Sequence, residues 1–217
     1  MKRRVLLGAV TSLALLAAQG AWAQGGARKL RPRDDSARDP ALRRVIAAIR
    51  AACKAKSTEL LAPHLAEDVK ESFGGDGSPA AFLAAFKKKP ALWDELDTAF
   101  RLGGSFIGPS FAAPYVYSAF PENLEGDRYL VTLGDNVPVH ETPRDTGIVA
   151  ARLSYDIVRR ATAELGVKVP PDWIRIRPPI GVPGYVRRQH LRSPIDYRAV
   201  LDKDKDRWVL TAFVAGD

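Results

Sequence analysis

The strongest constraint on the fold is a change of hydrophobic period part-way along the chain. Between residues 40 and 101 the apolar positions recur at helical spacing. After about residue 127 they fall into short runs, several alternating with period two. Helices followed by strands point to an α+β architecture: N-terminal helices with a small curved sheet, then a β-rich part. Sixteen prolines and 17 glycines fit a loop-rich fold of short elements, and 46% hydrophobic residues exclude a wholly disordered chain. A single cysteine, Cys53, excludes an intrachain disulfide framework and any multi-cysteine zinc or iron–sulfur site.

The first 23 residues have export character. Met1-Lys2-Arg3-Arg4 is basic, residues 5–18 are apolar, and Ala21-Trp22-Ala23 offers a small-x-small cleavage site. The apolar stretch is shorter than the roughly 20 residues of a spanning helix, so residues 1–23 are expected to be a signal peptide cut after Ala23. That places the protein in the periplasm or outside the cell, with no membrane span after cleavage. Losing Lys2, Arg3 and Arg4 lowers the formal charge from +8 to +5. So modest a charge gives no reason to invoke nucleic acid.

Residues 24–39 hold Leu30 as their only large apolar side chain and are expected to be a flexible, charged leader. Asp39-Pro40 is a cap followed by proline at the first helical position, and Leu42, Val45, Ile46, Ile49, Ala52 and Cys53 form one apolar face over 40–55. Cys53 on that stripe is expected to be a buried thiol. Ser57 or Thr58 caps a short helix, and 68–73 is expected to be a strand ended by Gly74-Gly75-Asp76-Gly77. Ser78-Pro79 opens a helix with Phe82, Leu83 and Phe86. Pro90 opens another with Leu92, Trp93, Leu96 and Phe100, stopped by Gly103-Gly104. The aromatic stretch 105–121 is expected to be strand and packed loop. Strands follow at 129–139, 148–158, 173–177 and 184–186, and 197–214 is a hairpin turning at 202–206.

Two resemblances follow from these residues. Val137-Pro138-Val139-His140-Glu141-Thr142-Pro143, the run 148–158, Trp173-Ile174-Arg175-Ile176, Gly181-Val182-Pro183-Gly184-Tyr185-Val186 and Leu191 resemble the successive blocks of a bacterial SH3-like barrel of exported proteins. His140 stands where arginine is usual, Ser154-Tyr155-Asp156 replaces a glycine turn, and about ten residues are inserted near 161–171. Residues 40–121, with Tyr197-Arg198-Ala199-Val200 and Trp208–Phe213, look like a nuclear-transport-factor-like cone. The expected organisation is therefore an α+β part at 40–126 and an SH3-like barrel at 127–194. Residues 195–217 either complete the α+β sheet, making the barrel an insertion, or extend the barrel.

Candidate chemistry is sparse. His64, His140 and His190 show no metal-binding spacing, the glycine-rich turn has neither a calcium ladder nor a phosphate-loop pattern, and neither metal nor cofactor is expected. A Cys53–His hydrolase lacks an exposed nucleophile turn. Lys87-Lys88-Lys89 closes a helix where cations complement the dipole, or else binds an anion. The aromatics Phe106, Phe111, Tyr115, Tyr117 and Phe120 are the better lead. Tyr115 and Tyr117 are expected to share a strand face and, with Tyr185, Arg187 and Arg188, to line a groove for a peptide or glycan.

The expected function is non-enzymatic: an exported, monomeric envelope protein of a Gram-negative-type bacterium whose SH3-like part recognises peptidoglycan or a protein partner. One alternative is an enzyme or small-ligand carrier using His64, Asp68 and Tyr115 in a pocket of the cone-like part. Another is an inhibitor or assembly partner of a second exported protein.

Overall fold

The computed structural model describes residues 28–72, 74 and 77–216; the expected signal peptide, Phe73, Gly75 and Asp76 lie outside the described residues. The chain is mixed α+β, with two sheets of five and seven strands.

The first helix, α1 (Pro40–Ala55), starts where the sequence places it. The Asp39 carboxylate accepts from the amides of Ala41 and Leu42, and Pro40 occupies the first turn. Its inner stripe buries Leu42, Ile49, Ala52 and Cys53. A single turn, α2 (Thr58–Leu61), is capped by Ser57 and leads through a 3-10 turn at Ala62–His64 into β1 (Leu65–Lys70). Ser78 caps α3 (Pro79–Lys88), and α4 (Ala91–Arg101) follows Pro90. Gly103, at φ +75°, ends this helical stretch: a Cβ there would lie 2.5 Å from the Arg33 carbonyl oxygen. Strands β2 (Ser105–Ile107) and β3 (Ser110–Ala113) form a hairpin, and a short helix, α5 (Tyr115–Ser118), comes next.

Seven strands follow: β4 (Tyr129–Thr132), β5 (Val137–His140), β6 (Val149–Leu153), β7 (Ile157–Arg160), β8 (Trp173–Arg177), β9 (Gly184–Arg187) and β10 (Leu191–Arg192). They form one sheet in the order β10-β4-β7-β8-β9-β5-β6, with antiparallel pairs throughout. All seven contribute to a single aliphatic core of Leu130, Val137, Val139, Leu153, Val158, Ile174, Ile176, Val186 and Leu191, so the sheet curls around its own interior. The expected closed barrel is absent: β6 and β10 are two edges with no pairing between them among the described residues. β10 is only two residues long, because the Asp196 carboxylate accepts from the Ser193 amide and turns the chain away from the sheet.

The chain then returns as the hairpin β11 (Arg198–Asp204) and β12 (Arg207–Val214), and these strands occupy the middle of the five-stranded sheet, order β1-β12-β11-β3-β2. β12 runs parallel to β1, while β11 pairs antiparallel with β12 and β3. Helices α1, α3 and α4 bury Leu42, Ile49, Phe82, Phe86, Trp93 and Leu96 against Phe111, Leu201, Leu210 and Phe213 of the sheet.

A third cluster packs Leu30 and α5 against the seven-stranded sheet: Leu30, Tyr115, Val116, Val131 and Ile157. Residues 28–39, expected to be a free leader, contribute to it. Leu30 is 9% exposed, its amide donates to the Tyr155 carbonyl at 2.7 Å, and the Ile157 amide donates to the Arg28 carbonyl at 2.8 Å. One apolar side chain suffices here because an existing strand edge satisfies the backbone beside it.

Candidate functional site

Beside β2 and the start of β11, where the chain crosses to and from the seven-stranded sheet, lies a cleft of about 460 Å³, and the aromatic stretch 105–121 builds much of its wall. β2 presents Phe106, whose ring meets Phe111 edge-on at 5.6 Å and Trp208 at 6.1 Å. α5 presents Tyr117 and Ser118; Ser118 is held by the Ser105 amide and hydroxyl at 3.0 and 2.9 Å. Phe120, Pro121 and Leu124 line the wall towards β4, and Pro194 and Ile195, on the crossing into β11, pack beside Gly126 in the same lining. Arg198 stands in this wall at 8% exposure with its guanidinium 4.9 Å above the Tyr117 ring. A guanidinium over an aromatic face is an attractive arrangement, strengthened by partial exclusion of water. The cleft can therefore accept aromatic, sugar-ring or extended peptide surface beside one positive charge, Arg198, and one negative, Glu122.

The expected partnership of Tyr115 and Tyr117 on a strand face is corrected. Both lie on a helical turn whose amides at Tyr117 and Ser118 donate to the Pro114 carbonyl, so positions two apart diverge. Tyr115 turns into the cluster against the seven-stranded sheet at 1% exposure, and burial, with Tyr155 adding to it, pushes its phenol up to about 12. It is a neutral packing side chain at ordinary pH.

Arg187 and Arg188 lie elsewhere, in a cleft of about 710 Å³ at the end of the seven-stranded sheet with Pro138, His140, Asp145, Asp172, Gln189 and His190. Arg187 is ion-paired with Asp145 and Asp172 and sits 4.6 Å from the Trp173 ring. The hydrogen bond from Arg187 lowers the Asp145 carboxyl below its ordinary value, and the same bond raises Arg187. Arg188 donates from Nε to the Pro171 carbonyl at 2.8 Å. His140, 6% exposed, meets Trp173 edge-on at 5.3 Å and contacts the Gly147 carbonyl through Nδ1 at 3.1 Å. Tyr185, 2% exposed, is buried on the face of β9 opposite Val186, with Arg175 5.9 Å from its ring. The five groove residues are thus divided: Tyr117 in one cleft, Arg187 and Arg188 in another, Tyr115 and Tyr185 buried.

Nor does the structure gather His64, Asp68 and Tyr115. Asp68 lines a mixed-charge surface hollow of about 460 Å³ with Glu67, Asp202, Lys203, Asp204 and Lys205. His64 is half-buried on its 3-10 turn, where burial and then Arg207 lower its pKa. Cys53 is buried, and its thiol is pushed up to about 12, by burial first and by Asp97 and Asp94 after that, against the opposing pull of Arg50. Among the described residues no three His, Cys, Asp or Glu side chains cluster to hold a metal ion, and no helix is long and apolar enough to cross a membrane.

The residue that sequence reasoning missed is Arg198. It faces Tyr117 from 81 positions away along the chain, so local reading cannot pair them. Its one signal is a lone charge at the head of an otherwise apolar strand run, Arg198-Ala199-Val200-Leu201. Comparison with protein-family models, with curated proteins and with solved structures gave no match.

Proposed function

We propose that the chain is an exported, non-catalytic envelope protein that binds an extended glycan or peptide segment of cell-wall material in the cleft beside β2 and the start of β11. The observation that carries this reading is the Tyr117–Arg198 pair, flanked by Phe106 and Phe120 where the chain crosses to and from the seven-stranded sheet. Clefts between structural units are common ligand sites, and tyrosine with arginine is the pairing most used to anchor a partner with few side chains. The segments that lead into and out of the seven-stranded sheet supply the other flank, and the N-terminal export signal supplies the compartment.

Retention of the purified protein on isolated sacculi at low salt is the test. Wild type should be retained, and Tyr117→Ala should weaken retention by about tenfold, the effect of losing one anchor of moderate strength. A wild type that passes through unretained ends the cell-wall reading.

A protein partner is the second reading, favoured by exposed apolar side chains at one end of the seven-stranded sheet. Ile148, Ile180 and Val182 are 69%, 77% and 67% exposed, and His140 of β5 bridges the strands that follow them by pairing with Val149 and Tyr185. β6 is the open edge there, the place where a partner strand can add. Cross-linking from Ile148→Cys should then capture one protein repeatedly, and a scatter of products argues against it.

A further inference from the structure

We propose that the α3 side of the five-stranded region holds a second, independent site, a slot for a free fatty acid with its carboxylate at Lys88 and Lys89. The slot measures about 420 Å³. Its floor is aromatic and aliphatic: Phe82 and Phe86 of α3, Leu92 of α4 and Phe213 of β12. Phe82 and Phe86 lie 5.0 Å apart and Phe213 stacks on Tyr197 at 4.9 Å and 25°; these phenylalanines are at most 2% exposed, so they back the slot while Ala85, Leu92 and the half-buried Tyr197 present its apolar surface. The mouth is cationic. Lys88 and Lys89 close the last turn of α3, and Lys89 Nζ donates to the Tyr197 hydroxyl at 3.1 Å while lying 5.4 Å from that ring. Glu71 and Ser72 complete the rim.

An apolar floor under an ammonium pair selects its occupant by charge. An alkyl chain gains from burial along Ala85, Leu92 and Tyr197, and a carboxylate head gains from two lysines and the Tyr197 hydroxyl. A neutral chain forgoes the second gain, and a cationic head meets like charge. This also accounts for Lys87-Lys88-Lys89 beyond its fit to the helix dipole, since two of the three lysines border an apolar slot. The cleft at Tyr117 shares none of these side chains, so either site can fail without the other.

The experiment is calorimetric titration of the chain beginning at Gln24, which includes every described residue, with hexanoate, octanoate, decanoate and dodecanoate below their micelle concentrations. Affinity should rise by about fourfold per added methylene until the slot is full, then level off. Lys88→Gln with Lys89→Gln should weaken dodecanoate about fivefold while dodecanol is unchanged, and Glu71→Gln should strengthen dodecanoate slightly. Ala85→Phe, which fills the slot from a half-buried position on α3, should abolish binding while the thermal melt stays cooperative. Tyr117→Ala should bind dodecanoate as wild type does. Equal binding of dodecyltrimethylammonium, or dodecanoate binding that survives Ala85→Phe, overturns the site. Recruitment to vesicles of anionic lipid without binding of the free acid also overturns it, in favour of a membrane surface.

Discussion

The two sheets reach stability by different routes. The seven-stranded sheet is built from one continuous stretch, 129–192, and its core is aliphatic and enclosed by its own curl. The five-stranded sheet is assembled from both sides of that stretch, and its core adds seven rings to its aliphatic side chains: Phe82, Phe86, Trp93, Phe100, Phe111, Trp208 and Phe213. Its two central strands, β11 and β12, come last in the chain, after β4–β10. Contacts so distant in sequence pay their loop-closure entropy before any packing rewards it, whereas the seven-stranded sheet forms from near neighbours. The aromatic and arginine cleft lies on the non-local side of the seam between these two units, walled by β2, α5, the start of β11 and the two segments that flank the local unit in sequence.

The largest effect should come from removing residues 195–217. Without β11 and β12, β1 loses its parallel neighbour and β3 keeps only β2, so the helices face a lone hairpin and an unpaired strand in place of a sheet. The loss should exceed the whole net stability of a domain, about 5–15 kcal/mol. Near-UV circular dichroism from the buried Trp and Phe rings should collapse, while a fragment of 127–194 keeps a cooperative β-type melt. If the truncated chain retains its aromatic signal, the contrast between local and non-local assembly is wrong.

Next comes a pair of core substitutions. Phe86, 1% exposed, packs on Phe82 at 5.0 Å, Trp93 at 4.6 Å and Phe213 at 5.9 Å, so Phe86→Ala should cost about 3–5 kcal/mol in urea unfolding. Ile176→Val removes one methyl from the other core and should cost about 1 kcal/mol. If the two regions melt separately, each variant moves its own transition. A single transition moved by both would instead make the junction around Tyr115 and Ile157 the centre of one cooperative unit.

The helical half was legible because caps and spacing are local. Asp39-Pro40 fixed one helix start, Ser78-Pro79 another, and the Leu42–Cys53 stripe announced its buried face. Strand text at 173–177 and 198–214 was equally plain, but which sheet each strand joins depends on partners far away. Nothing in the text of 191–197 says that the seven-stranded sheet stays open at β10. The cleft was half legible: Phe106, Tyr117 and Phe120 advertise themselves as aromatic crowding, whereas Arg198 becomes relevant only once β11 is laid beside β3. The error at Tyr115 has the same origin, since alternation looks like a strand until the Pro114 carbonyl collects the amides of a helical turn.

Asp39 offers a smaller test, specific to the five-stranded region. It caps α1 and also accepts from Trp208 Nε1 at 2.9 Å, tying the first helix to the last strand. The Trp208 bond, followed by the cap amide of Leu42, lowers its carboxyl to about 2. A depressed folded-state pKa means stability that is complete above the unfolded value near 4 and is lost as pH falls towards 2. Asp39→Ala should cost about 1 kcal/mol at neutral pH. Asp39→Asn should flatten the stability-versus-pH curve between about 4 and 2; an unchanged acid limb would assign that limb to other carboxylates.

The smallest effect tests the strap that joins the two regions. Lys29 Nζ contacts both Asp156 oxygens at 3.1 Å and donates to the Ser154 carbonyl at 2.9 Å. Its side chain is 41% exposed and that of Asp156 only 4%, so the cation is well solvated and the carboxylate is not. Removing the cation still leaves Asp156 accepting from the Ser154 amide at 2.7 Å, which limits the penalty of an abandoned charge. Lys29→Gln should therefore cost about 1 kcal/mol or less, within the range of a partly exposed pair. Its signature is local: faster hydrogen exchange at the Leu30 and Ile157 amides, which bond across the strap, and unchanged exchange in α3 and α4. Exchange that quickens equally around Phe86 would mean that the strap supports the ring-lined core as well, and that the two regions are less independent than their construction implies.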